Sequence, residues 1–493
     1  MLAHYLGLGD AADAFAAAFR IPNFLQNLLG EGVLSASFIP VYARLIGQGR
    51  QDDARRVAGA VLGLLAVVTA AVVAIGVTTA PWLVTLLAPG FHGAKHDLTV
   101  QLVRVLFPGV GLLVLSAWCL GVLNSHRRFF LSYAAPVIWN VAIIAVTLVP
   151  GIGAAPERIV VFTAWGALAG SLLQFAVQLP EVRRLLGEFR PSLDASDPGV
   201  RTVLANFGPA FVSRGVAQIS AFVDAILASL LPTGAVAALM NAQLLYTLPV
   251  SLFGMSVAAA ELPELSEAAG QGESAHAALR ERLERAMRQV TFFVVPSAIA
   301  FLTLGQVIAA AVFQTGRFTA DDARYVWMIL IGATVGLLAT TLARLYASAW
   351  YALQEAKRPM RFALIRVVLT IGLGYVSAVH LPGWLGVEPR WGAVGLTASA
   401  GVAGWLEFAL LRRSLHARIG VARLPVGYLV RLWGAGLLAA VAGWGMVLLL
   451  RGQLGPVLGA ALVLGAFGTV YVMVAWRLGI DTARDLITRL RRA

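Results

Sequence analysis

The sequence predicts an all-α, polytopic membrane protein, a bundle of more than a dozen transmembrane helices, and three observations carry that expectation. Of the 493 residues, 59% are hydrophobic and only 13% are charged, whereas a soluble domain carries about a quarter charged residues. The apolar residues gather in long runs, among them 57–80, 131–149, 329–342 and 437–450, that are almost free of charge. The basic residues, which give a formal net charge of +13, sit between these runs. Membrane topology explains them better than a nucleic-acid partner does.

A span needs about 20 mainly apolar residues. Complete spans are expected at 12–42, 57–87, 101–124, 131–150, 159–180, 202–230, 234–262, 289–313, 325–353, 362–381, 391–411, 426–450 and 454–476, thirteen in all. Alternate connections are basic: Arg44, Arg50, Arg55 and Arg56; Arg127 and Arg128; Arg183, Arg184, Arg190 and Arg201; Arg280, Arg282, Arg285 and Arg288; Lys357, Arg358 and Arg361; Arg412, Arg413, Arg418 and Arg423. The tail adds Arg484, Arg489, Arg491 and Arg492, while the opposite set offers little beyond Lys95, Arg158, Arg317, Arg324, Arg390 and Arg451. The imbalance is about fourfold, which predicts a cytoplasmic C-terminus in an inner membrane. Thirteen spans would then put the N-terminus outside. Residues 1–11 hold no signal peptide, and Met1–Gly7 resemble the last turns of a helix. The expectation is a first span truncated by a late start, and fourteen spans in the intact protein.

An internal repeat gives the bundle its organisation. The stretch Ala88–Pro136 resembles Gln314–Leu364, with Pro89-Gly90-Phe91 answering Thr315-Gly316-Arg317-Phe318, Asp97 answering Asp321 and Asp322, and Arg127-Arg128-Phe129 answering Lys357-Arg358-Pro359. The offset of 226 to 230 residues spans an even number of helices, so both copies have the same orientation. Parallel repeats of this kind are a transporter device, with the substrate path between the halves. The two spans from 426 onward fall outside the repeat.

Charged and amide side chains inside spans mark cavities or ion pairs. The densest group is in the span 12–42: Asp13, Arg20, Asn23, Gln26, Asn27 and Glu31. Pro22 is expected to bend this helix, and Gly30 and Gly32 weaken it further. Snorkelling of Asp13 and Arg20 to the interface is the plainer alternative to a water-filled cavity. Arg214 and Asp224 share a helix at a separation of about 15 Å, too far to pair with each other. Glu261 and Glu264 fall near an inner interface, and for Arg104 and Arg344, also inside spans, structural pairing with a carboxylate is the plainer alternative to a functional role. Ser274–Val290 reads as an amphipathic helix lying on the bilayer and leading into the next span, with Ser274 as a cap.

Several chemistries lack a signature. No G-x-x-x-x-G-K-[ST] loop, H-E-x-x-H pair or G-x-S-x-G elbow occurs in the sequence. His92 and His96 have helical spacing but no third ligand nearby, and no metal site is expected. The single cysteine, Cys119, reads as a small buried residue. Hydrolytic and redox chemistry are not expected, nor is any cofactor; an ion gradient or the membrane potential would drive transport.

The span 12–42 also carries a family resemblance. Asp13-Ala14-Phe15, Arg20-Ile21-Pro22-Asn23, Gly30-Glu31-Gly32, Ser35 and Phe38-Ile39-Pro40-Val41 closely resemble the MurJ/MviN family of the multidrug/oligosaccharidyl-lipid/polysaccharide exporter superfamily. Further matches follow in order: Ala88-Pro89-Gly90-Phe91, Arg104 with Phe107-Pro108, Leu123-Asn124 with Arg128-Phe129, Gln218-Ile219, Leu248-Pro249 with Gly254, Leu262-Pro263 with Leu265-Ser266, and Phe313 with Gly316-Arg317-Phe318-Thr319. The resemblance implies two six-helix lobes around a central cavity, at 1–190 and 191–420, with two extra helices and a basic tail at 421–493 forming a lateral groove. It implies a flippase that moves lipid II, the undecaprenyl-diphosphate-linked peptidoglycan precursor, to the outer leaflet for cell-wall synthesis. A diphosphate and its sugars cannot cross hydrocarbon unaided, and arginines in a wet cavity would grip the phosphates. Asp13, Arg20, Asn23, Gln26, Glu31 and Arg214 are the expected substrate-binding set.

The chain departs from the family pattern in three places. Gln26 stands where the family usually has arginine, Gln243-Leu244 stands where Asp-Arg is usual, and the truncated first helix normally brings further arginines. Arg214 is the expected substitute. Asp224 matches an acidic position that contributes to a sodium site in some members, but Thr370 and Gly374 replace its usual partners, so either sodium or proton coupling stays open. Two alternatives also stay open: a flippase for another polyprenyl-linked saccharide such as an O-antigen or exopolysaccharide unit, and a non-transporting scaffold. The expected partners are the lipid substrate, membrane lipids and cell-wall synthesis proteins, with a monomeric transporter and no nucleic acid.

Overall fold

The computed structural model describes residues 1–150, 153–258, 260–261, 273–355, 357–450 and 453–490, with the backbone alone at 209–210, 212–221, 487 and 489–490. The 262–266 motif with Glu264, and Arg451, Arg491 and Arg492, lie outside the described residues, as do the side chains of Arg214 and Gln218. Among the described residues every regular element is helical. The chain divides into two compact units, Met1–Val236 and Ala237–Ala493.

The first unit begins with a short α1 (Leu2–Leu6), followed by α2 (Asp10–Leu29) and α3 (Glu31–Gly47). Pro22 lies inside α2, which continues through it; the break falls instead at Gly30. A Cβ at Gly30 would collide with the carbonyl oxygen of Gln26, so only glycine lets the chain turn so tightly here. Next come α4 (Gln51–Thr78), α5 (Ala80–Leu87), α6 (Gly93–Ser125), α7 (Phe129–Thr147), α8 (Pro156–Leu186) and α9 (Pro198–Ser229). The single expected span 57–87 is thus two helices, parted at Thr79.

Helix α6 is the hub of this unit, with α2, α3, α4 and α8 packed on it. Its Trp118 and Leu123 are buried with Phe38, Tyr42 and Val57 in one apolar cluster, and Cys119 is buried beside them. Asp197 caps α9 by accepting hydrogen bonds from the backbone N–H of Gly199 and Val200, ahead of Pro198 in the first turn. Because α9 lies against α2, α3 and α4, the first compact unit extends past the lobe boundary expected at 190.

The second unit opens with α10 (Ala235–Pro249), which runs into a π-helical turn at Val250–Met255. Then follow α11 (Glu273–Phe313), α12 (Ala320–Thr334), α13 (Leu337–Ala352), α14 (Lys357–Tyr375), α15 (Leu381–Leu385), α16 (Gly392–Ile419), α17 (Val426–Leu450), α18 (Pro456–Arg477) and α19 (Asp481–Leu490). Helix α16 packs on α12, α13 and α14, and α11 packs on α12, α13, α17 and α18. Phe292, Val295, Ile299 and Leu304 of α11 meet Leu432, Ala435, Ala439, Phe467 and Tyr471 of the last helix pair.

Two expectations are corrected in this unit. The span 325–353 is broken: α12 and α13 meet at a 46° bend. The break falls at Gly336, where a Cβ would stand 2.5 Å from the Cα of Gly401, so α13 and α16 touch backbone to backbone. The amphipathic stretch Ser274–Val290 is the first part of the 41-residue α11, and its apolar stripe does not lie on the bilayer. Leu279, Leu283 and Met287 are fully buried within the unit, and Glu284 accepts a hydrogen bond from the backbone N–H of Arg423. Periodicity reported the stripe correctly but not what covers it.

Eleven helical segments among the described residues are long and apolar enough to cross a membrane, or twelve if the bent pair α12–α13 is one span. Helix α9, with 32 residues, coincides with the further span expected at 202–230. The repeat has a local structural counterpart. Arg127 (φ 59°) and Gln354 (φ 58°) are the two non-glycine residues with positive φ among the described residues. At the first, the N–H of Arg127 and Arg128 bond the carbonyls of Asn124 and Leu123; at the second, the N–H of Gln354 and Glu355 bond those of Tyr351 and Trp350. The same helix-ending turn therefore closes α6 and α13.

Candidate functional site

Helix α2 shows two different faces. At about 100° per residue, Phe19, Asn23 and Gln26 fall on one side, and Asp13, Arg20 and Phe24 on another. The first side opens on a cavity of about 410 Å3 within the first unit, lined by Phe19, Asn23, Gln26, Asn27 and Glu31 together with Ser116 of α6, Trp139 and Asn140 of α7 and Gln174 of α8. The break at Gly30 places Glu31 at the start of α3, where the helix dipole favours a negative charge. Behind the cavity the Gln174 amide donates to Ser116 Oγ at 3.0 Å, and Ser116 donates to Gln178 Oε1 at 3.0 Å. Trp139 Nε1 donates to the carbonyl of Ala167 at 3.1 Å. Amides, the Ser116 hydroxyl and one carboxylate, set among apolar Phe19, Leu113, Leu120 and Pro136, suit sugar and peptide groups, and the lining contains no cation.

The second face of α2 is committed to the protein. Asp13 is 1% exposed and its carboxylate lies 2.7 Å from Lys95 Nζ, while it also accepts from the backbone N–H of Gly234 at 2.8 Å. Lys95 reaches Asp10 as well, at 3.1 Å. Asp13 therefore ties the starts of α2 and α6 to the chain beyond α9. Arg20 stands opposite Asp224 of α9, which attracts it, and Phe24 and Phe222 meet edge to face at 4.9 Å beside them. Asp224 and the α2 residue Arg20 are thus near enough for their opposite charges to interact. Of the expected binding set, Asn23, Gln26 and Glu31 share the cavity; Asp13 and Arg20 face elsewhere, and the Arg214 side chain is outside the description.

The second unit holds charges that the sequence reading passed over. Arg366 of α14 and Glu407 of α16 form an ion pair at 3.2 Å, with side chains 29% and 13% exposed. Arg344 of α13 lies in the field of both, and of Tyr246 on α10. The available signal was the presence of one charge of each sign inside the spans 362–381 and 391–411. The same unit has a groove of about 720 Å3 between α11, α12 and the α17–α18 pair. Leu304, Val307, Ala310, Trp327, Trp444 and Val463 make it largely apolar, with Gln306, Gln314 and Gln453 among its polar lining.

A bundle of long apolar helices with a polar cavity in one unit, a charged cluster in the spans of the other and a lateral apolar groove defines a membrane transporter. The fold is shared with an inward-facing multidrug resistance MATE family transporter of the MOP superfamily, at a TM-score of 0.65 and 19% identity over 84% of this chain and 94% of that one. The family is narrower than that. The chain belongs to the lipid II flippase MurJ family, whose model matches residues 2–464. It is 33% identical to the lipid II flippase MurJ of Burkholderia cenocepacia, over 90% of this chain and 85% of that protein. It is 30% identical to the probable lipid II flippase MurJ of Rhizobium tropici, over 97% and 90%. A solved structure of lipid II flippase MurJ in an inward closed conformation superposes at a TM-score of 0.78 and 22% identity, covering 98% of this chain and 95% of that one. The chain is an integral inner-membrane transporter and not an enzyme.

Proposed function

We propose that this chain moves lipid II from the inner to the outer leaflet of the cytoplasmic membrane by alternating access, supplying peptidoglycan synthesis. Membership of the MurJ family over nearly the whole chain carries the reading. The cavity beside α2 supports it, because a disaccharide-peptide headgroup needs many neutral hydrogen-bonding partners away from hydrocarbon. The apolar groove along α17 and α18 is a path on which a polyprenyl tail can stay in the membrane while its headgroup crosses. The basic loops favour a cytoplasmic C-terminus. Sodium, protons or the membrane potential supply the drive, and the Arg20–Asp224 pair is where a coupling cation would compete.

The test is a bacterium depleted of its own flippase and supplied with this chain, with externally accessible lipid II as the readout. Restored surface lipid II and growth are expected. Lipid II retained inside, with the protein well inserted, would contradict the reading and favour another polyprenyl-linked saccharide as substrate.

A further inference from the structure

Arg344, Arg366 and Glu407 place three formal charges inside membrane-spanning helices of one unit. By helical rise, Arg344 stands about 12 Å from the end of α13 at Ala352, Arg366 about 14 Å from the start of α14 at Lys357, and Glu407 about 18 Å from the end of α16 at Ile419. These positions lie beyond the terminal turns, where a long side chain settles its charge by reaching the interface. Something in the protein or in its ligand must compensate them.

The protein compensates only part. Two guanidiniums face one carboxylate, which leaves a net formal charge of +1 at the cluster. Glu407 meets Arg366 at Nε, 3.2 Å away, and that Nε makes no aligned hydrogen bond. Arg344 forms no ion pair among the described residues, although it feels Glu407 from a distance. The residue nonetheless keeps an exposed surface. The Tyr246 hydroxyl, held by Thr340, lies in the field of both arginines.

The chemistry of such a site is selective. A metal cation is repelled by the surplus charge. A neutral sugar needs hydrogen-bond partners but not two guanidiniums. A phosphate offers several acceptor oxygens in an arrangement that two planar forks can share. We infer that Arg344 and Arg366 form a phosphate-binding subsite in the second unit, and that Glu407 holds Arg366 in place and weakens its grip so that the phosphate is released. This subsite takes over the anion-binding duty that Gln26 and Leu244 cannot perform. The identity of its ligand as the substrate's diphosphate rests on the function proposed above; an anionic phospholipid headgroup presents the same chemistry.

The experiment measures binding of undecaprenyl diphosphate to the full chain in phosphatidylcholine nanodiscs, with phosphatidylglycerol as the competing probe. Arg344→Gln and Arg366→Gln are each expected to weaken binding about tenfold. Glu407→Gln is expected to strengthen it severalfold, a gain that a misfolded protein could not show. Equal affinity across the wild type and the three variants would overturn the subsite. Phosphatidylglycerol binding that needs both arginines, with undecaprenyl diphosphate binding that needs neither, would overturn the assignment to substrate. Lipid II movement by the wild type is read separately. If it is absent while the arginine dependence holds, the proposed function fails and the subsite stands; if it is present and the variants bind normally, the reverse is true.

Discussion

In the first unit α6 crosses as one 33-residue helix, whereas its repeat counterpart in the second unit is parted into α12 and α13 with a 46° bend. Charge follows the same division. Lys95 takes Asp13 and Asp10, Asp224 attracts Arg20, and the polar part of the cavity lining is left to amides, Ser116 and Glu31. The second unit instead gathers Arg344 and Arg366 around a single carboxylate. The contrast separates two uses of charge in a membrane. A closed pair fixes helices relative to one another, while a surplus charge on a bent helix stays available to a ligand.

The largest effect expected from this contrast is on stability. Asp13→Ala strands Lys95 against the exposed Asp10 and removes the acceptor for Gly234, and it should cost about 3 kcal/mol or more. Thermal unfolding of the purified protein reads it. Glu407→Gln should cost clearly less, since its contact with Arg366 Nε is not an aligned hydrogen bond; equal losses would break the comparison. Arg20→Gln and Asp224→Asn should be non-additive, with a coupling of about 1 to 2 kcal/mol in a double-mutant cycle. Additive losses would mean that the two side chains do not act as a pair.

How far these features were legible in the sequence depends on their range along the chain. Spans are local, so runs of apolar residues located them well. The repeat was visible because short motifs recur in order, Pro89-Gly90-Phe91 with Thr315-Gly316-Arg317-Phe318 among them, whereas the matching turns at Arg127 and Gln354 lie three residues out of the register that sets Arg127 against Lys357. Helix breaks were harder. Pro22 looked like the bend in α2, yet a proline clashes with one preceding turn and neighbouring helices can absorb that, while the close backbone approach at Gly30 depends on folded geometry. Partners distant in sequence were hidden altogether. Asp13 and Lys95 are 82 residues apart, and Arg366 and Glu407 lie on separate spans with no motif around either. A lone charge in a span is a signal by itself, and it was given weight at Arg20 and Asp224 but not at Arg366 and Glu407.

Moving charge between the units sharpens the comparison further. Gln26→Arg puts a guanidinium into the cavity of the first unit. In an Arg344→Gln background it should recover severalfold of the lost lipid II transport, because one charge-assisted phosphate contact replaces another. No recovery would mean that the two positions do not serve the same anion.

The smallest effect concerns His126, in the turn between α6 and α7. The Tyr42 hydroxyl lies 3.0 Å from His126 Nε2. Burial first, and then the Arg128 guanidinium, hold the imidazole below its usual value of 6.5. The unfolded chain therefore binds a proton more readily, so stability should fall slightly as pH drops through about 6.5 and below. Melting temperatures between pH 5 and 8 should show this slope, flattened in His126→Gln. An unchanged slope in the variant would remove His126 from the account.

The most direct test of the central claim is a lipid movement assay on the purified chain. Proteoliposomes carrying fluorescent lipid II would be assayed for protection of the inner-leaflet fraction from an external quencher. Time-dependent loss of protection with the wild type, slowed in Arg366→Gln, is the expected result. A protected fraction that persists in the presence of correctly folded wild-type protein, with an ion gradient and a membrane potential imposed, would contradict it.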